Sequence, residues 1–170
     1  MLFLISFSGL PGVGKSTIAK DLARDISAVY VRVDSVEAAL KVSVLGIQEA
    51  EDAGYLAAAN IAKDNIALGH NVVADTVNPV SETRALWAQV AADSGARLVN
   101  VEIVCSDRIE HRRRVESRNS EIQGLVYPDW DEVQQRRYQE WVQDRLILDS
   151  SSLRVGESTA KIIEYINSTS

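Results

Sequence analysis

The chain has 170 residues, 24 of them acidic and 18 basic, so its formal net charge is −6. A chain of this length suits a single domain over residues 1–170 that buries about 70% of the surface of its unfolded form. An acidic chain is a poor sequence-independent binder of nucleic acid, so we expect a small-molecule partner and no nucleic acid.

Cys105 is the only cysteine, which excludes an intrachain disulfide. This cysteine usage is typical of a reduced, cytoplasmic protein. No run of about 18 apolar residues exists, so the sequence predicts no membrane span. It carries no signal for an oligomeric state.

The first predicted element is a strand over residues 2–7, which is almost continuously apolar, as a strand covered by helices on both faces should be. We expect it to be the central strand. Residues 9–17 follow it and fit the pattern G-x-x-x-x-G-K-[ST], and a helical pattern runs over 15–26. A strand, a glycine-rich turn and a helix form the setting that a phosphate-binding P-loop requires.

The residue types of this P-loop suit a nucleoside triphosphate bound with Mg²⁺. The glycines let successive backbone N–H groups converge on phosphate oxygens, and the helix adds its positive N-terminal end. Lys15 would neutralise the β- and γ-phosphates, and Ser16 would supply a hydroxyl to Mg²⁺. The predicted nucleotide-binding residues here are Gly9, Gly12, Val13, Gly14, Lys15, Ser16 and Thr17.

Two further predicted strands, 29–33 and 71–75, end in carboxylates, because Asp34 follows the first and Asp75 closes the second. Ligands of open parallel sheets bind at the carboxyl ends of the strands. Asp34 also precedes Glu37 by three residues, which is typical of a helix cap, so a purely structural role in starting a helix over 34–45 is the alternative. For Asp75 the alternative is a structural role in the turn that follows.

The remaining elements alternate in type along the chain. We predict a helix over 49–68, a helix opened by a Ser81 cap and ended by Gly95, a strand over 97–104, an arginine-rich helix opened by Ser106, a helix over 129–143 capped by Asp129 and Glu132, a strand over 146–149 and a closing helix around 160–166. Strands that alternate with helices in this way predict a three-layer α/β/α P-loop NTPase fold with a five-stranded parallel sheet.

With the P-loop, the two aspartates and the arginine-rich helix in this order, the chain resembles the small P-loop kinases. These include shikimate, gluconate and adenylylsulfate kinases, chloramphenicol phosphotransferase and the kinase part of polynucleotide kinase. The resemblance covers essentially the whole chain, although only the P-loop is specific in its own right. It implies an ATP-dependent kinase that transfers the γ-phosphoryl group to a hydroxyl of a small-molecule acceptor, with ATP and Mg²⁺ as cofactors.

The resemblance also implies roles for single residues. Asp34 would meet the acceptor hydroxyl, and Asp75 would hold Mg²⁺ or its water shell. A lid around residues 106–128 would close over ATP, with Arg114 reaching phosphate and Arg118 stacking on adenine. Lys15, Asp34, Arg114 and Arg118 are therefore the predicted catalytic residues.

Two other functions remain open at this point. A nucleotide-binding switch or ATPase would use the same P-loop, but residues for effector or oligomerisation subdomains are lacking. A polynucleotide 5′-kinase would need a basic groove, which only the arginine-rich helix favours in this acidic chain.

Overall fold

In the computed structural model, which describes residues 1–119, 122 and 124–168, five parallel strands form one sheet in the order β2-β3-β1-β4-β5. The strands are β1 (Phe3–Ser8), β2 (Val29–Arg32), β3 (Val72–Asp75), β4 (Arg97–Val104) and β5 (Leu146–Asp149). The helices in this part of the chain are α1 (Lys15–Asp25), α2 (Val33–Val42), α3 (Ala53–Ala67), α4 (Ser81–Ser94), α5 (Arg108–Glu116), α6 (Trp130–Gln135) and α7 (Val155–Ser168).

Strand β1 lies at the centre of the sheet, as predicted, and pairs with β3 on one side and β4 on the other. Its side chains alternate between the two faces. Ile5 and Phe7 join a core cluster with residues of α1 and α7, whereas Leu4 joins a second cluster with residues of α3 and α4. Helices therefore cover both faces, which confirms the predicted three-layer α/β/α fold.

The helix predicted over 129–143 is wrong beyond Gln135, because α6 ends there and the chain continues without regular structure to β5. The side chain of Arg84, which is buried, donates to the carbonyl oxygens of Gln139 at 2.7 Å and Glu140 at 2.9 Å. Its guanidinium also lies 4.1 Å from the centre of the Trp141 ring. These tertiary contacts engage the backbone carbonyl oxygens of the segment and outweigh its local helical preference.

The predicted cap of α2 by Asp34 is also wrong. The helix begins at Val33, its N-cap is Arg32, and Asp34 lies in the first turn without capping the helix. A carboxylate in the first turn still interacts favourably with the helix dipole. Its side chain is 33% exposed, which leaves it available for another role.

Two other predicted caps are displaced by one residue, and one is confirmed. Val80 rather than Ser81 is the N-cap of α4, and Asp107 rather than Ser106 caps α5 by accepting from the backbone N–H groups of Ile109 and Glu110. Asp129 forms the predicted capping box with Glu132 at the start of α6.

The sheet topology gathers the predicted site at one edge. The P-loop follows β1, α2 follows β2, and Asp75 closes β3, so all three lie at the carboxyl ends of adjacent strands. No helix in the described part of the chain is both long and apolar enough to cross a membrane.

Candidate active site

Three glycines give the P-loop its conformation, with φ angles of +132° at Gly9, +85° at Gly12 and +95° at Gly14. Residues with a Cβ rarely adopt these angles. A Cβ at Gly9 would overlap the carbonyl oxygen of Ile103, and one at Gly12 would lie 2.5 Å from Cγ2 of Val115 in α5. Glycine at these positions therefore allows the positive φ angles of the loop and its close contact with β4 and α5.

Side chains from α5 and from the loop after β5 hydrogen-bond to the P-loop and to each other. The Ser150 hydroxyl donates to the carbonyl oxygen of Val13 at 2.6 Å, and Arg114 donates to the Ser150 hydroxyl at 2.9 Å and to its carbonyl oxygen at 3.1 Å. Nε2 of the buried His111 lies 2.8 Å from the carbonyl oxygen of Pro11. These contacts hold the carbonyl groups of Pro11 and Val13 in place. No local sequence pattern indicates His111 or Ser150, because each acts through a contact distant in sequence.

Lys15 is 8% exposed, and its Nζ donates to the carbonyl oxygen of Leu10 at 3.0 Å. Burial lowers the pKa of Lys15 to about 8, although the nearby carboxylates of Asp75 and Asp34 act in the opposite direction. The P-loop cation is therefore held in a poorly solvated position in which a bound phosphate would be its natural partner.

Asp75 is 3% exposed and accepts a hydrogen bond from the Tyr30 hydroxyl at 2.6 Å. Burial and the Asp75 carboxylate both raise the pKa of Tyr30, so this phenol remains a donor at neutral pH. Nε of Arg32 lies 3.7 Å from the same carboxylate. Asp75 is therefore fixed by two side chains of β2.

The residues around Asp75 fit a magnesium ion bound together with phosphates. Mg²⁺ typically takes one or two protein oxygens and completes its octahedron with phosphate oxygens and water. Ser16 and Asp75, which line one cavity, supply a hydroxyl and a carboxylate. Among the described residues no group of three or more His, Cys, Asp or Glu is placed to hold a metal ion.

Arg32 is a site residue that sequence reasoning missed. It is buried at the end of β2, and its Nη2 lies 3.5 Å from Oδ2 of Asp34 and 3.4 Å from the hydroxyl of Tyr127. Arg32 thus links the two predicted aspartates, since its Nε faces Asp75. Tyr127 in turn lies under Arg118, whose guanidinium is 3.7 Å from the ring centre.

A central cavity of about 240 Å³ lies beside the P-loop at the carboxyl edge of the sheet. It brings together the predicted residues Lys15, Ser16, Asp34, Asp75 and Arg118. The sequence did not indicate that Glu37, Lys41 and Arg136 also line this cavity. The full lining consists of Pro11, Lys15, Ser16, Asp34, Glu37, Lys41, Asp75, Thr76, Val77, Arg118, Leu125, Val126, Tyr127, Pro128 and Arg136.

A second cavity of about 270 Å³ lies over the P-loop itself and is bordered by α5 and the residues after it. Most of the predicted nucleotide-binding residues line it, together with both predicted lid arginines: Gly12, Gly14, Lys15, Ser16, Thr17, Arg114, Ser117 and Arg118. Gly9 and Val13 support the loop from behind, since Gly9 abuts Ile103 and the carbonyl oxygen of Val13 binds Ser150. Of the lid predicted over 106–128, residues 120, 121 and 123 lie outside the described residues.

Solved structures with this architecture include enzymes that bind nucleotides. APS kinase CysC of Mycobacterium tuberculosis, in complex with AMPPNP and APS, is 20% identical, covers 98% of each chain and superposes with a TM-score of 0.71. A gluconokinase of Sinorhizobium meliloti is 15% identical over 98% of this chain and 97% of that one, with a TM-score of 0.66. Kti12 of Chaetomium thermophilum, in complex with ADP-AlF3, is 20% identical over 97% of each chain, with a TM-score of 0.70.

At these identities the likeness shows a shared fold. No curated protein matches the sequence significantly. A family model described as an AAA domain matches residues 4–143, which is most of the chain and includes the P-loop, both aspartates and α5. The chain therefore belongs to this AAA domain family and has the fold of the small P-loop kinases.

Proposed function

We propose that this protein is an ATP-dependent kinase that transfers the γ-phosphoryl group to a hydroxyl of a small molecule. The observation that carries the proposal is that Asp34 faces the same cavity as Lys15 and Ser16 of the P-loop. A pure nucleotide-binding site needs no such space beyond the γ-phosphate, whereas a kinase must seat its acceptor there. A volume of about 240 Å³ lies below the roughly 300–1,000 Å³ of pockets for drug-sized ligands, so it leaves room only for a compact acceptor.

The P-loop and the arginines would hold the donor. Backbone N–H groups around Gly12 and Gly14 and the side chain of Lys15 would bind the β- and γ-phosphates, and Arg114 and Arg118 would approach from the opposite side of the second cavity. Mg²⁺, held by Ser16 and by Asp75 directly or through water, would neutralise charge on the β- and γ-phosphate oxygens.

Asp34 would act on the acceptor. In the proposed step the acceptor oxygen bonds to the γ-phosphorus, the bond from that phosphorus to the β–γ bridging oxygen breaks, and ADP leaves with the electron pair. The hydroxyl proton passes to the Asp34 carboxylate and then to solvent. Arg32 would hold this carboxylate in place through its contacts with Asp34 and Asp75.

Two competing functions would use the same donor site. A nucleotide-binding switch would release the γ-phosphate to water, and a polynucleotide 5′-kinase would accept an oligonucleotide end. The net charge of −6 disfavours the second.

Incubation with γ-labelled ATP, Mg²⁺ and pools of sugars, polyols, nucleosides, antibiotics and oligonucleotides separates these functions. We expect label in a small organic phosphate ester. Label only in inorganic phosphate would contradict kinase activity.

The lowered pKa of Lys15 predicts a pH-dependent affinity for nucleotide. Bound phosphates favour the charged amine and raise its pKa, so binding above about pH 8 must take up a proton. We expect the affinity for Mg²⁺-AMPPNP to fall by up to about tenfold per pH unit above that value. Calorimetric titration at pH 8.5, in two buffers of different ionisation enthalpy, measures the number of protons taken up when the nucleotide binds. Lys15→Ala is the control without uptake, and an affinity that stays constant from pH 7 to 9.5 would contradict the assignment.

The two lid arginines predict separable effects on ATP use and stability. Arg118→Ala and Arg114→Ala should each raise the KM for ATP by about 10- to 100-fold, the scale of a lost hydrogen bond to a charged group. Arg114→Ala should also lower the melting temperature, because Arg114 binds Ser150 and Glu110. The matched control is Arg113→Ala, since Arg113 is 71% exposed and, among the residues that the structure describes, pairs only with Glu110. If the KM for ATP is the same in the Arg118→Ala and Arg113→Ala variants, the predicted role of Arg118 in ATP binding is wrong.

A further inference from the structure

Arg118 and Tyr127 form a stacked pair in the wall of the central cavity. Cζ of Arg118 lies 3.7 Å from the centre of the Tyr127 ring, the closest contact of a cation with a ring in the described part of the chain. This separation is that of two flat groups lying face to face. A guanidinium that stacks through its face keeps its N–H groups in its own plane, directed past the edge of the ring. The stack therefore orients Arg118 without using its hydrogen-bond donors.

Packing between α5 and α6 brings the pair together. Arg118 follows the end of α5 by two residues, and Tyr127 precedes the start of α6 by three. Val115 of α5 packs with Trp130 and Val133 of α6 in a small apolar cluster separate from the two main cores. The residues just beyond the two helices meet because this cluster holds the helices side by side.

Tyr127 is itself held at both ends. Pro128 follows it and restricts its backbone to extended conformations, and Asp129 then begins α6 with a capping box. At the other end, the Tyr127 hydroxyl accepts a hydrogen bond of 3.4 Å from Nη2 of the buried Arg32. A ring fixed at its backbone and at its hydroxyl has little freedom left to lose when it supports a cation.

Arg118 lies where the two cavities meet, because it lines both the central cavity and the cavity over the P-loop, as Lys15 does. Burial is the main cause of the lowered pKa of Lys15, and the positive charge of Arg118 acts in the same direction, so the two cations are close enough to repel each other. Like charges in a poorly solvated site are unfavourable unless an anion lies between them. In the proposed reaction the γ-phosphoryl group is that anion, since it passes from one cavity to the other.

We propose that Tyr127 is a positioning residue, whose ring holds the guanidinium of Arg118 with its N–H groups toward the γ-phosphate. This inference rests on the proposed function, although its test needs no acceptor. Tyr127 acts on the nucleotide only through Arg118. Loss of the ring should therefore weaken the binding of AMPPNP, which carries a γ-phosphate, more than the binding of ADP, which does not.

Calorimetric titration with Mg²⁺-AMPPNP and with Mg²⁺-ADP measures this preference. In Tyr127→Leu we expect the Kd for AMPPNP to rise about 3- to 10-fold, the scale of one cation–ring contact, and the Kd for ADP to change by less than about twofold. Tyr127→Phe retains the ring and should keep both Kd values within about twofold of wild type.

The opposite results are distinct. An unchanged or lower Kd for AMPPNP in folded Tyr127→Leu would overturn the inference, and so would equal weakening of both nucleotides. Absence of binding of either nucleotide to the wild-type protein would instead defeat the proposed function itself.

A double-mutant cycle assigns the effect to Arg118. Arg118→Ala removes the guanidinium, so the further change Tyr127→Leu should raise the Kd for AMPPNP no more. Additive effects would overturn the inference, because Tyr127 would then act on the nucleotide by another route.

Tyr138→Leu is the matched control. It removes a ring that lies 5.3 Å from the guanidinium carbon of Arg84, and Tyr138 lines neither of the two cavities. This variant should melt at a lower temperature and keep the wild-type ratio of the two Kd values. An equal fall of that ratio in Tyr138→Leu and Tyr127→Leu would count against a specific role of Tyr127, and thermal melts of all variants separate these results from loss of folding.

The NMR signal of the Arg118 Nε–H group follows the stack directly, and its absence from the spectrum of Arg118→Ala identifies it. A proton over the face of an aromatic ring is shifted upfield, so we expect an upfield signal in wild type that is lost in Tyr127→Leu. The upfield position should persist when Mg²⁺-AMPPNP binds, because the ring supports Arg118 in the bound state. Loss of the upfield shift on binding would show that Arg118 leaves Tyr127 to reach the nucleotide, and it would overturn the inference.

Discussion

Lys15→Ala is expected to leave a folded protein whose phosphoryl transfer rate is lower by about 10²- to 10³-fold or more, the scale for removing one preorganised group that stabilises charge in a transition state. Lys15 lines both cavities, as Ser16 and Arg118 also do, so its ammonium group is placed between the proposed phosphate site and the proposed acceptor site. Its replacement removes a buried charge and frees the carbonyl oxygen of Leu10, and we expect little net change in stability.

The measurement is kcat with saturating acceptor, together with a thermal melt. Lys161→Ala, an exposed position on α7, is the matched control for loss of one positive charge. An undiminished rate in a folded Lys15→Ala variant would remove the P-loop from the mechanism.

Asp34→Asn is expected to lower transfer by about 10²- to 10⁴-fold while the affinity for ATP is retained, because that is the usual scale for a positioned general base. Asp34 lines the cavity beside the P-loop but not the cavity over it, which separates acceptor chemistry from nucleotide binding. The change keeps the size of the side chain and removes its charge.

Stability should change only modestly in this variant. Asp34 caps no helix, and it contributes a charge in the first turn of α2, worth about 0.3–1 kcal/mol, and a long contact of 3.5 Å with Arg32. Asp75→Asn is the informative comparison, because the more buried Asp75 holds both Tyr30 and Arg32 and should lose more stability. Full transfer in folded Asp34→Asn would make that carboxylate structural and leave Asp75 as the candidate base.

Local patterns in the sequence predict the parts of this fold that depend on local physics. The apolar run of β1, the glycines of the P-loop and the periodicity of α1 are local patterns, and together they predict the central strand and the strand, turn and helix around the P-loop. The capping box at Asp129 is likewise complete within four residues.

Contacts between distant segments account for what the sequence did not predict. The chain from 136 to 143 is polar enough for a surface helix, but the guanidinium of Arg84 binds its carbonyl groups. Arg32 is indistinguishable from an ordinary strand arginine until the sheet places it between Asp34 and Asp75. Glu37 fits one half of a capping pair in the sequence, and its place in the wall of the central cavity follows only from the packing of α2 in the fold.

The partition of the γ-phosphoryl group between acceptor and water tests the central claim most directly. With unlabelled ATP and the acceptor that reacts best among the pools of sugars, polyols, nucleosides and antibiotics, ³¹P NMR of the products measures the ratio of phosphate ester to inorganic phosphate in wild type and in Asp34→Asn. The kinase mechanism predicts mostly ester in wild type, and in the variant a much lower rate of ester formation at unchanged nucleotide affinity. Inorganic phosphate as the main product of the wild-type protein with every acceptor, at a rate that Asp34→Asn does not alter, would contradict it.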